Sequence, residues 1–64
     1  MIRVNGKDYD FKEMTIEELL TELQYPLTRI AVERNQMIVP KSKYSEVKTK
    51  DGDVIEVVRF VGGG

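Results

Sequence analysis

The 64-residue sequence predicts an α+β fold, a mixed sheet of four or five strands with one helix packed across one face. Three observations lead there. Apolar residues alternate in period two at both ends of the chain, a single capped stretch carries helical spacing, and the last strand-like segment is apolar on both faces.

The elements follow in order. Ile2 and Val4 alternate with Arg3 and Asn5, and Tyr9 and Phe11 with Asp8 and Asp10. Asn5-Gly6 lies between them, and both residues tolerate positive φ, so residues 2–11 read as a β-hairpin. Thr15 and Glu18 have capping-box spacing, in which the threonine oxygen accepts from a free backbone N–H and the glutamate reaches back. Ile16, Leu19, Leu20 and Leu23 then fall at i, i+3, i+4 and i+7, one apolar stripe of a helix. Glu17 sits near the positive end of the helix dipole. Pro26 restricts Tyr25 to extended geometry, so the helix must end before it.

Ile30 and Val32 alternate with Ala31 and Glu33 as a third strand. Asn35-Gln36 reads as a turn and Met37-Ile38-Val39 as a short fourth strand. Pro40 cannot donate a ladder bond, which ends the pairing or puts it at an edge. Residues 41–50 read as polar and irregular, with one helical turn near Lys43-Tyr44. Asp51-Gly52-Asp53 is a turn, and Val54 to Val61 the longest strand, suited to the sheet centre. In it Ile55, Val57, Arg59 and Val61 share one face, and Val54, Glu56, Val58 and Phe60 the other. Ile2, Val4, Ile30, Val32, Ile55 and Val57 are expected to meet the helix. The predicted division is one domain over residues 1–61 and a flexible glycine tail over 62–64.

Composition narrows the function. Cysteine and histidine are both absent, which excludes disulfides, zinc sites of the Cys/His type, and Cys–His or Ser–His–Asp catalysis. No acidic stretch has the alternating ligands of an EF-hand loop, so no metal is expected. A core this small leaves little room for a pocket of the usual ~300–1,000 Å³. Ten Lys+Arg against eleven Asp+Glu give a net charge of −1, without the basic excess of a nucleic-acid binder. No apolar run approaches the ~20 residues of a membrane span, and the opening residues lack a signal peptide's apolar segment, so the expected location is the cytoplasm. The chain reads as a protein that another protein acts upon, with no enzymatic activity of its own.

The motifs carry a resemblance along essentially the whole chain. The Val4-Asn5-Gly6 opening, the capped helix, Asn35-Gln36-Met37-Ile38-Val39-Pro40 (similar to an Asn-x-x-x-Val-Pro segment), Asp51-Gly52-Asp53 before Val54-Ile55-Glu56-Val57, and the final Gly63-Gly64 resemble the ThiS family of thiamine-biosynthesis sulfur carriers. The resemblance implies a ubiquitin-like β-grasp fold, in which first and last strands pair in parallel at the sheet centre. It also implies that the α-carboxylate of Gly64 is adenylated by a partner enzyme and converted to a thiocarboxylate. ATP is then the partner's cosubstrate and no cofactor is bound by the chain. The implied partners are a ThiF-like adenylating enzyme, a ThiG-like thiazole synthase and a sulfur donor such as a cysteine desulfurase. Lys41 and Tyr44 depart from the pattern, standing where relatives often carry Arg and Trp.

The site expected on these grounds has three parts. Gly64 carries the reacting carboxylate. Gly62 and Gly63 thread it into a narrow active site, where glycine permits close backbone approach. Val58 and Phe60, large apolar residues on the face away from the helix, form a partner patch. Lys41, Lys43, Lys48 and Lys50 read as a solvated loop. Three other functions stay open at this level: a molybdopterin synthase small subunit, a ubiquitin-like modifier conjugated to lysine, and a pure interaction domain.

Overall fold

The computed structural model of the chain describes residues 1–60. Strands β1 (Ile2–Val4) and β2 (Lys7–Tyr9) pair antiparallel with Val4 opposite Lys7. That register leaves Asn5 and Gly6 as the whole connection, and both are left-handed, at φ 50° and 81°. Two positive φ values in a two-residue loop match the twist of the flanking strands. A Cβ on Gly6 would meet nothing within 4 Å, so glycine serves torsion here rather than space. Pairing ends at Tyr9, earlier than the expected Phe11, and the Phe11 ring stacks on Tyr9 with centroids 4.9 Å apart.

Helix α1 (Ile16–Glu22) starts as its sequence predicts. The Glu18 N–H donates to Thr15 Oγ1 at 3.1 Å, and the Thr15 N–H donates to Glu18 Oε1 at 2.9 Å. The preceding free donors are met from a distant segment. Ile16 N–H reaches the Val47 carbonyl and Glu17 N–H the Tyr44 carbonyl, each at 2.9 Å. The end of the helix is set by Gln24, left-handed at φ 64°. Its N–H donates to the Thr21 carbonyl and that of Tyr25 to the Leu20 carbonyl, the paired closure of a Schellman motif. Pro26 therefore follows a stop already made. Ile16, Leu19 and Leu20 are fully buried; Leu23, the C-cap, flanks the core.

Strands β3 (Ile30–Arg34), β4 (Met37–Val39) and β5 (Val54–Arg59) complete a five-stranded sheet of order β2-β1-β5-β3-β4. β5 lies at its centre, parallel to β1 through Arg3↔Val54 and Val4↔Ile55, and antiparallel to β3 from Ile30↔Arg59 to Arg34↔Ile55. Among the described residues the strand ends at Arg59, with Phe60 just past it; the expectation that it runs to Val61 lies outside them. β3 and β4 meet through Asn35-Gln36, both left-handed at φ 52° and 71°. Ile2, Val4, Val32, Val39, Ile55 and Val57 are buried with the three helix residues, and Ile30 packs at the margin.

Residues 41–53 differ most from expectation. A short 3-10 turn (Lys41–Lys43) follows Pro40, and Tyr44 enters the core. Thr49 is fully buried; its N–H donates to the Met14 carbonyl at 2.7 Å. The segment straps the start of the helix to the sheet rather than forming a free loop. Asp53 is buried and accepts from Arg34 Nε at 2.8 Å, Asn35 Nδ2 at 3.0 Å and the Lys50 N–H at 2.8 Å. Burial pushes its carboxyl up, but these donors and the Arg34 charge outweigh burial and hold it below its ordinary value.

Leu20→Ala removes a fully buried side chain and should lower unfolding free energy by about 2–5 kcal/mol, read as a fall in the denaturation midpoint. Asp53 has a folded pKa depressed below its unfolded value, so its stabilisation is complete above the ordinary carboxylate pKa of 3.8 and disappears as pH falls through the folded value. Asp53→Asn should therefore cost about 1–3 kcal/mol at pH 7 and show a shallower loss of stability on acidification, measured by urea unfolding from pH 7 to pH 2.

Candidate functional site

The strand leading to the glycines is the most constrained in the sheet. β5 is bonded to β3 on one side through five residue pairs and to β1 on the other through two. The last described residue is also tied down, because the Phe60 N–H donates to the Arg29 carbonyl at 2.8 Å. Arg29 is left-handed at φ 59°, which turns the chain into β3 and exposes that carbonyl to β5.

β1 is only three residues long, so its backbone ladder stops well before β5 does. The side chain of Asn5 carries it further. Asn5 Oδ1 accepts from the Val57 N–H at 2.8 Å, and Asn5 Nδ2 lies 3.2 Å from the Val57 carbonyl and 3.0 Å from the Tyr25 hydroxyl. One primary amide thus satisfies both polar groups of a residue facing an edge with no strand opposite. Asn35 acts similarly on the other side. Its N–H donates to the Val54 carbonyl at 2.8 Å, and its Oδ1 accepts from the Val54 N–H at 2.9 Å. From the sequence alone both residues read as turn formers. The signal available was that each asparagine directly adjoins a strand next to the central one.

Val58 and Phe60 fall on the sheet face opposite the core, with 53% and 59% of their surfaces exposed. They lie two residues apart on the open face, where the alternation places them. The expected roles of Gly62, Gly63 and Gly64, and the expected boundary at Val61, lie outside the described residues. Lys41, Lys43, Lys48 and Lys50 are exposed, and Lys43 lies 3.9 Å from Glu46. Tyr44 is a core residue whose phenol burial pushes up in pKa.

Among the described residues, no three Asp or Glu side chains are grouped so as to hold a metal ion. No described helix is long and apolar enough to cross a membrane. What the arrangement offers among the described residues is a central strand bonded to both neighbours, with Phe60 tied to Arg29 at its end and the exposed Val58 and Phe60 side chains on its open face.

Comparison with known proteins agrees with this geometry. The chain is 47% identical over 66 residues to the sulfur carrier protein ThiS of Bacillus subtilis, covering 100% of both. It is 50% identical over 62 residues to a thiazole synthase of Paramagnetospirillum magneticum, matching 95% of this chain but only 19% of that longer one. Its fold superposes on the crystal structure of a thiamine biosynthesis protein (ThiS) from Geobacter metallireducens with a TM-score of 0.81 and 31% identity, over 98% of this chain and 97% of that one. The match to the family itself runs over residues 2–64, from the first core residue of β1 through the three glycines, and the chain belongs to the ThiS family.

Proposed function

We propose that this chain is a sulfur carrier for thiazole formation in thiamine biosynthesis, and that the α-carboxylate of Gly64 carries the sulfur. The family match through the glycines carries this reading, supported by full-length similarity to a sulfur carrier protein. The chain is a substrate of other enzymes in the cytoplasm and binds no cofactor itself.

The chemistry follows from the carboxylate. A free α-carboxylate has a pKa of about 3.3–3.7 and is ionised at neutral pH, so it is a poor electrophile. A ThiF-like enzyme joins it to the AMP portion of ATP and releases pyrophosphate. The outer sulfur of a persulfide on a donor such as a cysteine desulfurase then attacks the acyl carbon and displaces AMP, giving an acyl disulfide. A thiol cleaves its S–S bond, leaving the thiocarboxylate on Gly64 and a new disulfide between the donor cysteine and that thiol. A ThiG-like thiazole synthase takes the sulfur into the thiazole precursor. Relatives named thiazole synthase contain a segment similar to 95% or more of this chain, which supports that enzyme as the acceptor partner. Gly62 and Gly63 pass through the narrow approach to each active site, and Val58 and Phe60 rest against the enzyme surface.

Deleting Gly64 leaves an equivalent carboxylate on Gly63 but withdraws it by about 3.3–3.6 Å. Misplacement by about 1 Å can cost on the order of a hundredfold in rate. The shortened protein should keep its melting temperature and lose ATP–pyrophosphate exchange and the mass gain of an oxygen-to-sulfur replacement. Full-rate loading by the shortened chain would sink the reading. Phe60→Ser should fold normally and bind the adenylating enzyme more weakly by about 2 kcal/mol, measured by calorimetry.

A further inference from the structure

The open sheet face is not uniformly apolar. Across β4, β3 and β5 one row runs Ile38–Glu33–Glu56, because Ile38 and Glu56 are the direct partners of Glu33 on its two sides. Two carboxylates therefore stand directly opposite each other on neighbouring strands. Such pairs have Cβ atoms about 4.5–5.5 Å apart, and like charges there are destabilising. Neither glutamate makes an ion pair or a side-chain hydrogen bond among the described residues. The nearby arginines are committed, Arg3 to Asp8 and Arg34 to the buried Asp53. The two carboxylates line a shallow groove of about 360 Å³ with Val54, Asn35 and Gln36. Val54, Val58, Phe60 and Ile38 are exposed on the same face.

We propose that this face docks on a protein surface that presents an arginine between apolar side chains, the guanidinium seating between Glu33 and Glu56. The inference rests on the carrier reading, and gives its enzyme-binding surface a polar centre as well as an apolar strip. Contiguous apolar residues left exposed on one face mark a docking surface, and the charge set among them selects its partner. An apolar partner alone would bury two unneutralised carboxylates, at heavy cost. One planar guanidinium has donors enough to serve both and stacks on apolar neighbours, whereas an ammonium is a single compact charge. A divalent cation is a poorer occupant: among the described residues the pair lacks a third acidic ligand, and Asn35 Oδ1 is already used by the Val54 N–H. In a carrier that must reach its enzymes and not others, opposed carboxylates also repel acidic surfaces, giving selectivity that an apolar strip cannot.

The test is the double variant Glu33→Gln, Glu56→Gln, which keeps size and removes charge. Its melting temperature should equal or exceed that of the unaltered protein, since repulsion is relieved. Affinity for the adenylating enzyme or thiazole synthase of the same organism, by calorimetry at 50 mM and 500 mM salt, should fall at least roughly tenfold at low salt and lose much of its salt dependence. Affinity and salt dependence unchanged with both enzymes would overturn the proposal, while sulfur loading of the unaltered chain would leave the carrier reading standing. Absence of sulfur loading by the unaltered chain would overturn both. Self-association in sedimentation that the double variant abolishes, or calcium- or magnesium-induced NMR shifts confined to this face, would assign the carboxylates to another occupant and equally overturn it.

Discussion

The position of β5 between β1 and β3 is the constraint on which the rest of the molecule depends. A parallel pair cannot be closed by a tight turn, so the chain between β1 and β5 must travel away and return. That journey holds everything else: the second hairpin strand, the helix, β3, β4 and the strap at residues 41–53. With β5 central, Ile55 and Val57 reach the middle of the core, where Leu19, Leu20, Val4 and Val32 are also buried. The same placement bonds the first part of the strand on both sides and its last residues to β3 and the Arg29 carbonyl.

Two asparagines reinforce that placement by one physical device used twice. Asn5 and Asn35 each occupy a left-handed turn position that asparagine tolerates better than most residues. Each then directs its amide to the backbone of β5, one to Val57 and the other to Val54. A turn requirement and a ladder requirement are met by the same residue. Asp53 adds a third tie, joining Arg34 and Asn35 to the turn that starts β5.

Much of this was legible in the sequence because it depends on neighbours along the chain. Period-two alternation, Asn5-Gly6, the Thr15–Glu18 box and the Ile16–Leu20 stripe are local signals, and each element formed where its signal lies. The faces of β5 followed from alternation alone, so Val58 and Phe60 were placed correctly on the open side. Tyr44, Thr49 and Asp53 were missed because their burial is decided by partners far away in sequence. Tyr44 and Val47 offer their carbonyls to a helix start some thirty residues earlier, and nothing within residues 41–50 announces that. The paired glutamates were hidden for the same reason, since a cross-strand neighbour appears only once register is known. The helix end was visible as a limit set by Pro26, but the left-handed stop at Gln24 has no glycine to mark it.

The order in which the strands are made has a consequence for biosynthesis of the chain. When residues 1–53 have left the ribosome, the segments that form two hairpins and a seven-residue helix have no strand to bridge them. A helix that short is not stable alone, and isolated hairpins are marginal. Folding must therefore wait for β5 and then join both halves in one step, with the slow, non-local contacts coming due together. Until then β1 and β3 each expose the edge reserved for β5, the interval in which a nascent chain is most open to chaperones and to mispairing with its neighbours.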